Sequence, residues 1–343
     1  MRVAMFDQPG RPLKIENVSD PTPGEGQVVL RVGRCGICST DLHMTEGHGF
    51  TLPAGAVPGH EFSGEIVALG KGAEGVKVGD RVSVLPALTC GRCSKCLSGQ
   101  PFACEAGSQT IGIGPVWGGY AEYAVAAARW CLRLPDALSL DDGALIEPLA
   151  VGLHGVRLAG IQPGERVLVI GAGPVGLAAI YWARRAGAGR VAVTASSRRR
   201  QALAELLGAD AFLVPTGEET LAQASAAALG GKADVVLECS GVKGMLDVSI
   251  ANVRRSGTVA VLGICVEPEP INALPAVLNE VTLRFSMAFD RHDYRTSIDA
   301  LERGQVEPRA MITGSVGLAG TPDMFEALRT AKDHCKVMID PRG

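Results

Sequence analysis

The sequence contains neither a long apolar segment nor a strong excess of charge. No stretch reaches the roughly 18 uncharged apolar residues of a membrane-spanning helix, and the N-terminal run MRVAMFDQPGRPLKIE lacks a signal-like apolar core. The formal net charge is -3, with 47% hydrophobic and 20% charged residues, which argues against a polyanion-binding surface and against disorder. We therefore expect a globular cytoplasmic protein with no nucleic-acid or membrane partner.

The first part of the chain has the texture of an irregular β domain. Up to about residue 150, Gly, Pro and turn sequences such as PTPGEG separate short β-branched runs, which predict strands. These runs are QVVLRV (27–32), EIVALG (65–70), DRVSVL (80–85) and GGYAEYAVA (118–126).

A different pattern begins at about residue 165, where short apolar strands alternate with alanine-rich helical stretches. This alternation predicts βαβ units in a doubly wound α/β domain with a parallel sheet. The segments, in chain order, are RVLVI, PVGLAAIYWARRAG, RVAVT, RRRQALAELLGA, ADVVLEC and GTVAVLGI. The pattern breaks near residue 289, and AKDHCKVMID predicts a helix end and a strand that returns to the first domain. We therefore expect one domain at 1–152 and 290–343 and a second at 153–289.

Four cysteines lie in the run CGRCSKCLSGQPFAC, at C-x2-C-x2-C-x7-C spacing: Cys90, Cys93, Cys96 and Cys104. Thiolates at this spacing can close tetrahedrally on one zinc ion, and a four-sulfur shell leaves no position for substrate. We therefore expect a structural zinc site here. In a reducing compartment the other cysteines are expected to be thiols. Five of them are interpreted as packing residues: Cys35, Cys131, Cys239, Cys265 and Cys335.

A glycine motif follows the first strand of the second domain. Gly171, Gly173 and Gly176 form G-x-G-x-x-G after RVLVI, with Pro174 and Val175 at the start of the next helix. In this context the glycines permit a tight turn, a close approach of a pyrophosphate to the backbone, and close packing of helix and strand. The phosphates would lie at the helix N-terminus, where anions are favoured.

The second strand, RVAVT, is not followed by the Asp or Glu that binds the ribose 2′-hydroxyl of NAD. The residues there are Ala195, Ser196, Ser197, Arg198, Arg199 and Arg200. Hydroxyl and guanidinium groups can bind a 2′-phosphate, so NADP is predicted in preference to NAD. The alternative is a solvated helix start, but cations there oppose the helix dipole unless an anion binds.

A second set of metal-ligand types occurs in the first domain. Cys38 lies in CGICSTDLH, and His60 and Glu61 lie in VPGHEFSGE. Three protein ligands with an open fourth position are typical of a catalytic zinc site. Each fragment alone is unspecific, because a single His or Cys is more often a core residue.

These segments, together with ALIEPLAVGLHG, resemble zinc-dependent medium-chain alcohol dehydrogenases over essentially the whole chain, and the EPLAV segment resembles the sorbitol, threonine and butanediol dehydrogenase branch. The resemblance implies a GroES-like catalytic domain, a Rossmann coenzyme domain, two zinc ions per chain and a homotetramer. Where liver-type enzymes have a cysteine ligand, this chain has Glu147. The implied inner ligands are then Cys38, His60 and Glu61, with Glu147 coordinating directly, through water, or by exchange with Glu61.

The resemblance also implies roles for neighbouring residues. Asp41 would accept a hydrogen bond from the far nitrogen of His60, although it could also serve as a turn carboxylate. Thr40 would pass the substrate proton through the nicotinamide ribose to His43, unless His43 is simply a surface residue. The nicotinamide half of the coenzyme is expected at ECSG (238–241) and VLGIC (261–265), which contain Cys239 and Gly263.

The substrate is the least determined feature. By the resemblance, Phe50, Trp117, Met287 and Phe289 approach the substrate pocket, although core packing explains each of them equally well. An apolar pocket favours a secondary alcohol or its ketone as substrate, with a polyol, a vicinal diol or a threonine-type substrate as the alternative. Two further alternatives are a non-catalytic NADPH-binding regulatory protein and a zinc-free quinone reductase.

Overall fold

The computed structural model describes residues 1–47, 51–215, 220–330 and 333–343. The chain forms two compact units, the first comprising Met1–Glu147 and Phe289–Gly343 and the second Pro148–Ala288. The domain boundaries expected from the sequence lie within five residues of these divisions. Among the described residues, no helix is both long and apolar enough to cross a membrane.

The strands and helices are numbered in chain order. The strands are β1 (Arg2–Met5), β2 (Lys14–Asn17), β3 (Gln27–Gly36), β4 (Glu61–Leu69), β5 (Arg81–Val84), β6 (Ala87–Leu88), β7 (Gln109–Thr110), β8 (Tyr123–Ala127), β9 (Cys131–Arg133), β10 (Arg166–Ile170), β11 (Arg190–Thr194), β12 (Ala211–Leu213), β13 (Ala233–Glu238), β14 (Val253–Val261), β15 (Thr282–Phe285), β16 (Ile312–Gly317) and β17 (Lys336–Asp340). The α-helices are α1 (Ser39–Glu46), α2 (Ser94–Leu97), α3 (Leu140–Ala159), α4 (Pro174–Arg185), α5 (Gln201–Leu206), α6 (Leu221–Leu229), α7 (Met245–Asn252), α8 (Ala273–Leu278), α9 (Arg291–Glu302) and α10 (Thr321–Thr330).

The first unit is built on a mixed sheet in the order β16-β17-β3-β4-β5-β9, with β8 also paired to β3. β3 and β4 are antiparallel, and their register shifts twice, so the sheet is irregular as expected. Gly36 at the end of β3 pairs with Glu61 at the start of β4. This pairing brings the Cys38 and His60 segments to the same end of the sheet.

The second unit contains a six-stranded sheet, all parallel, in the order β12-β11-β10-β13-β14-β15. Numbered within the unit this order is 3-2-1-4-5-6, the doubly wound arrangement of a Rossmann fold, with its topological switch point between β10 and β13. The expected α/β fold class is therefore confirmed. Because β10 leads directly into α4, the glycine motif lies at the carboxyl edge of the sheet, where such folds bind ligands.

Some elements differ from the sequence patterns. The run expected to form one helix from Arg198 begins with a 3-10 turn, and α5 starts only at Gln201. α3 was not predicted, because Gly143 and Pro148 interrupt its helical pattern, yet burial of its apolar residues retains the helix.

Candidate active site and metal centres

The ligand atoms of Cys38, His60 and Glu61 lie within 4.8 Å of one another. We call these three residues the open cluster, because three protein ligands would leave a fourth metal position free. Cys38 directly precedes α1 and is half-buried, whereas His60 and Glu61 are 4% and 1% exposed. The pairing of β3 with β4 accounts for this convergence, since Cys38 follows β3, His60 directly precedes β4 and Glu61 begins it. The sequence predicted this set of ligand types, and the structure brings all three together.

The charges around His60 are predominantly negative. Burial alone would lower the pKa of His60, but the charges of Asp41 and Cys38 outweigh burial and raise the pKa well above its ordinary value. Such a buried concentration of negative charge around an imidazole favours a cation, and thiolate, imidazole and carboxylate together suit zinc. The residues present therefore fit a zinc ion.

Glu147 belongs to the same electrostatic environment. It is 7% exposed, and burial is the main cause that raises its pKa to about 7; the charges of His60 and Lys336 oppose this rise, whereas Glu61 adds to it. A carboxyl group whose pKa lies near neutral pH can gain or lose its proton as the charge of the cluster changes. The structure thus places Glu147 among the charges of the cluster.

Lys336 is a component of the site that sequence reasoning missed. Its Nζ lies 2.7 Å from both carboxylate oxygens of Glu61 and donates to the carbonyl of Ile37 at 3.1 Å, and both charged side chains are 1% exposed. Burial would lower the pKa of Lys336, but the charges of Glu61, Cys38 and Glu147 and the hydrogen bond to Glu61 together outweigh burial and raise the pKa. Both carboxylate oxygens of Glu61 are therefore held in place by a buried partner.

Asp41 contacts both ligand segments. One of its oxygens, Oδ2, accepts a hydrogen bond from the backbone N–H of Cys38 at 3.0 Å, and Oδ1 lies 3.2 Å from Nδ1 of His60. The latter two atoms are close but not aligned as a hydrogen bond, and both are buried with no other hydrogen-bond partner among the described residues. The geometry therefore allows Asp41 to cap α1 and to orient His60 at the same time.

Thr40 and His43 both lie on α1, three residues apart, and so face the same side of the helix. Thr40 is half-buried and His43 is exposed. This gradient from interior to solvent fits the expected direction of a proton path, whose roles remain a prediction.

The four cysteines of the expected structural site converge: Cys90, Cys93, Cys96 and Cys104. Sulfur-to-sulfur distances of 3.5, 3.9 and 4.0 Å are far longer than a disulfide bond. A tetrahedral zinc with bonds of about 2.3 Å to sulfur would separate its ligands by about 3.8 Å. The cluster therefore has the dimensions of a four-sulfur zinc site, and backbone N–H groups of Cys96 and Glu105 lower the pKa of Cys93 to about 6.

The glycine motif has the backbone geometry that a dinucleotide requires. Gly171 has φ of +102°, and a side chain on Gly176 would overlap the carbonyl of Gly171. At Gly173, which directly precedes α4, a Cβ atom would meet only the Arg200 guanidinium, at 3.9 Å. The first and third glycines thus permit the turn and its packing, and the second leaves open space at a helix N-terminus. Pro174 and Val175 begin α4.

The segment after β11 presents hydroxyl and guanidinium groups and no carboxylate. Ala195 is half-buried, and Ser196 and Ser197 are exposed. Arg200 donates to the carbonyl of Ala172 at 3.0 Å, so its guanidinium lies over the glycine turn, while the neighbouring Arg199 is exposed. Positive charge is therefore close to the predicted phosphate position.

The loops after β13 and β14 are joined by Glu238, which sequence reasoning did not single out. Glu238 is 2% exposed, and its carboxylate accepts from the backbone N–H of Ser240 at 2.8 Å. Its carbonyl accepts from the N–H of Gly263 at 2.9 Å, and the N–H of Cys239 donates to Ile170. These bonds fix the two loops that were expected to hold the nicotinamide.

The predicted pocket residues have different environments. Phe50 lies outside the described residues. Trp117 is 37% exposed and Met287 73% exposed. Phe289 is 4% exposed, and its ring centroid lies 5.4 Å from those of Phe102 and Tyr294, so a packing function already accounts for its position. A pocket function for these residues stays a prediction.

Comparison with known proteins decides the family. The model of the alcohol dehydrogenase GroES-like domain matches residues 24–136, and that of zinc-binding dehydrogenases matches residues 174–303. The chain belongs to the zinc-dependent medium-chain alcohol dehydrogenase family. As a member of this family it is an oxidoreductase that acts on alcohol CH–OH groups.

Individual relatives align with nearly the whole length of this chain. Sorbitol dehydrogenase of Bacillus subtilis is 33% identical over 336 residues, which is 96% of this chain and 95% of that protein. A solved putative zinc-binding dehydrogenase of Sinorhizobium meliloti, bound to NADP, is 30% identical with a TM-score of 0.87. An alcohol dehydrogenase of E. coli CFT073, complexed with NADH, is 28% identical with a TM-score of 0.88. Each of the two structures covers 99% of this chain and is itself 99% covered.

Proposed function

We propose that this enzyme transfers a hydride between NADP(H) and a secondary alcohol or ketone, with one catalytic and one structural zinc ion per chain. The observation that carries the proposal is the open cluster of Cys38, His60 and Glu61. Its surroundings are buried and negatively charged, and it is distinct from the four-cysteine cluster. Three ligands of this kind fit a catalytic zinc, and four cysteines fit a structural one.

The chain's own residues hold and orient the ligands of the proposed catalytic zinc. When bound, zinc would supply Lewis-acid polarisation of the substrate oxygen, and the hydride chemistry belongs to the coenzyme. Asp41 orients the ring of His60, and Lys336 holds the carboxylate of Glu61 through two short contacts. Glu147, which is buried and has a pKa raised to about 7, would coordinate the zinc directly, through water, or by exchange with Glu61.

Proton removal from the substrate hydroxyl is assigned to α1. Thr40 would relay the proton near the ligand Cys38 and His43 would receive it on the exposed side of α1; a bound coenzyme would supply its ribose hydroxyls to this relay. Because His43 is exposed, it can release the proton to water.

The substrate assignment rests on the apolar character of the predicted pocket residues, while the sorbitol dehydrogenase relative favours a polyol or vicinal diol as the second candidate. A kinetic screen tests this choice with sorbitol, 2,3-butanediol, L-threonine, and aliphatic and aryl secondary alcohols, each with both coenzymes. We expect the apolar secondary alcohols to have the highest kcat/KM. Faster turnover of polyols than of apolar secondary alcohols would contradict the proposed substrate class.

Metal analysis separates an enzyme from a non-catalytic NADPH-binding protein. We expect two zinc ions per chain and alcohol oxidation that a chelator abolishes and zinc restores. One zinc per chain without turnover would contradict the proposed function. If the protein were instead a zinc-free quinone reductase of the same superfamily, neither ligand cluster would have a function.

We expect the coenzyme preference to reverse on substitution of Ala195, which directly follows β11. Ala195→Asp places a carboxylate where the 2′-phosphate of NADP would approach, so it should repel that phosphate and offer an acceptor to the ribose hydroxyl of NAD. The ratio of kcat/KM for NADP over NAD should fall by about 100-fold, which corresponds to about 3 kcal/mol.

Ala195→Asn is the matched control, because it has nearly the same size without the charge. It should change the ratio much less than aspartate does. A parent enzyme that already prefers NAD would contradict the assignment of NADP.

We extend the proposal to a cytoplasmic homotetramer. The four free cysteines of one cluster and the single free cysteine of the open cluster fit a reducing compartment. Exposed apolar side chains between residues 264 and 287, on the edge strand β15 and in the segments directly before and after it, supply a surface for self-association. The most exposed are Ile264, Leu274, Val277, Leu278, Phe285 and Met287.

We expect light scattering to give a mass of four 35.6 kDa chains for the parent. Val277→Asp should lower this mass, because it would place a charge in the proposed contact. Val78→Asp, at a similarly exposed valine of the first unit, is the control. A monomeric parent would contradict the assembly.

A further inference from the structure

A buried tyrosine lies directly behind the open cluster. Tyr120 is fully buried, and its hydroxyl donates a hydrogen bond of 2.8 Å to Oδ2 of Asp41. Neither the glycine-rich segment that contains Tyr120 nor its position in the sequence indicates a contact with the zinc ligands. The contact forms because folding brings Tyr120 next to Asp41, which is 79 residues away in the sequence.

Asp41 is the point at which three parts of the site meet. Its Oδ2 accepts from the hydroxyl of Tyr120 and from the backbone N–H of Cys38, and its Oδ1 faces Nδ1 of His60 at 3.2 Å. Two donors on one oxygen limit rotation of the carboxylate. The other oxygen is thereby kept towards the imidazole, which leaves Nε2 of the ring as the nitrogen available to a metal.

The backbone positions Tyr120 for this contact. The segment 118–120 pairs with 57–59, immediately before His60, through three hydrogen bonds: Gly118 N to Val57 O at 2.8 Å, Gly119 N to Gly59 O at 2.7 Å, and Tyr120 N to Pro58 O at 3.1 Å. The tyrosine and the histidine are therefore fixed to each other through the main chain as well as through Asp41.

The packing around the ring depends on a glycine. Gly59 has φ of +102°, and a Cβ atom there would overlap the ring of Tyr120. On another side the ring meets Phe325 edge-on, with centroids 6.3 Å apart. Phenylalanine in place of Tyr120 could make all these ring contacts, so packing alone does not account for the hydroxyl. A buried hydroxyl is costly unless it is hydrogen-bonded, and Asp41 provides that bond.

We propose that Tyr120 is a positioning residue of the catalytic metal site, which acts by holding the Asp41 carboxylate so that it orients His60. The proposal rests on the proposed function, because it assumes that the open cluster binds zinc. Hydrogen-bonding partners one step removed from a metal ligand fix its ring orientation and commonly change metal affinity by about 10- to 100-fold. Among the described residues, loss of the Tyr120 hydroxyl would leave Oδ2 of Asp41 with the Cys38 N–H as its single donor.

Tyr120→Phe tests the proposal, because it removes the hydroxyl and keeps the ring. We expect zinc at the open cluster to bind about 10-fold more weakly in competition with a chelator, with the four-cysteine site still loaded. The visible spectrum of the enzyme with cobalt(II) in the open cluster should also change, and kcat/KM should fall.

Tyr294→Phe is the matched control within the same unit. It removes another fully buried hydroxyl, which donates to the carbonyl of Val84 at 2.7 Å and lies 2.8 Å from Oγ of Ser83. This variant should leave the zinc affinity of the open cluster and the cobalt spectrum unchanged. Equal effects of both substitutions on zinc affinity would show a general loss of stability and would overturn the proposal.

A double-mutant cycle with Asp41→Asn tests whether Tyr120 acts through Asp41. Tyr120→Phe should weaken zinc binding much less when it is combined with Asp41→Asn than when it is introduced into the parent. Fully additive effects, or a Tyr120→Phe enzyme with parental zinc affinity and cobalt spectrum, would overturn the proposal. Failure of the proposed function would be visible separately, since the parent itself would then bind no metal at the open cluster.

Discussion

Cys38→Ser should reduce kcat/KM for alcohol oxidation by at least about 1,000-fold, equivalent to about 4 kcal/mol of transition-state stabilisation. A neutral serine hydroxyl is a poor zinc ligand, so the open cluster would keep only His60 and Glu61. Metal polarisation of a substrate oxygen contributes several kcal/mol, and this contribution would be lost. Steady-state kinetics and zinc analysis measure the two effects, and the zinc content should fall from two ions per chain to one.

The same variant should remain folded and should still bind NADP. Cys38 is half-buried at the start of a helix, and the glycine motif belongs to the other compact unit. Cys131→Ser is a suitable control, since that thiol is buried in the same unit and donates to the carbonyl of Ala127, as a serine can. Retention of activity by Cys38→Ser, or loss of both zinc ions, would contradict the assignment of Cys38 to the catalytic site.

The parts of the site that could be predicted from the sequence are those in which function depends on local spacing. The four cysteines lie within 15 residues, and Gly171, Gly173 and Gly176 lie within six residues at the junction of β10 and α4. In both cases the backbone between the residues is too short to allow many arrangements. Spacing therefore carries nearly all the information, and both clusters could be predicted before the fold was known.

Other parts of the site depend on contacts between distant segments. Lys336 is 275 residues away from Glu61 and reaches it because β17 pairs with β3 next to the cluster. Tyr120 is 79 residues from Asp41 and is positioned by the pairing of 118–120 with 57–59. A buried lysine and a buried tyrosine each have an ordinary interpretation as isolated residues. Only strand pairing reveals that both contact residues of the metal site.

The fold was predictable to a similar extent. The alternation of strands and helices after residue 165 predicted the parallel sheet, because its central strands β10, β11 and β13 are largely buried and mainly apolar. α3 was missed because a proline and several glycines lower its local helix propensity, while its burial outweighs that cost.

Cys93→Ser is expected to affect stability rather than the chemistry of the reaction. α2 has only four residues, and a helix of this length is not stable in water by itself. The loop around 88–106 contains one further 3-10 turn and β6, which pairs only with the two-residue strand β7, so it buries little apolar surface of its own. Its order must therefore come largely from the proposed zinc, whose binding free energy would become folding free energy.

Cys93 has a central position in that loop. Cys93 directly precedes α2, and its sulfur accepts a hydrogen bond from the backbone N–H of Cys96 at 3.5 Å. Backbone donors lower the pKa of the Cys93 thiol to about 6. A thiolate is therefore favoured at Cys93 before any metal arrives, which suits a zinc ligand. Serine cannot supply this charge near neutral pH, so Cys93→Ser should lose the structural zinc.

The expected loss of stability is large. Structural zinc binding is worth about 10–16 kcal/mol, and a loss of about 3 kcal/mol of this would lower Tm by roughly 6–12 °C for a unit of this size. Calorimetry measures the shift, and limited proteolysis should show new cleavage between residues 88 and 106. Ser98→Ala, at an exposed position directly after α2, is the control and should change neither result. A Cys93→Ser enzyme that is fully folded but inactive would reverse the assignment of the two metal sites, since it would place the catalytic metal at the four cysteines.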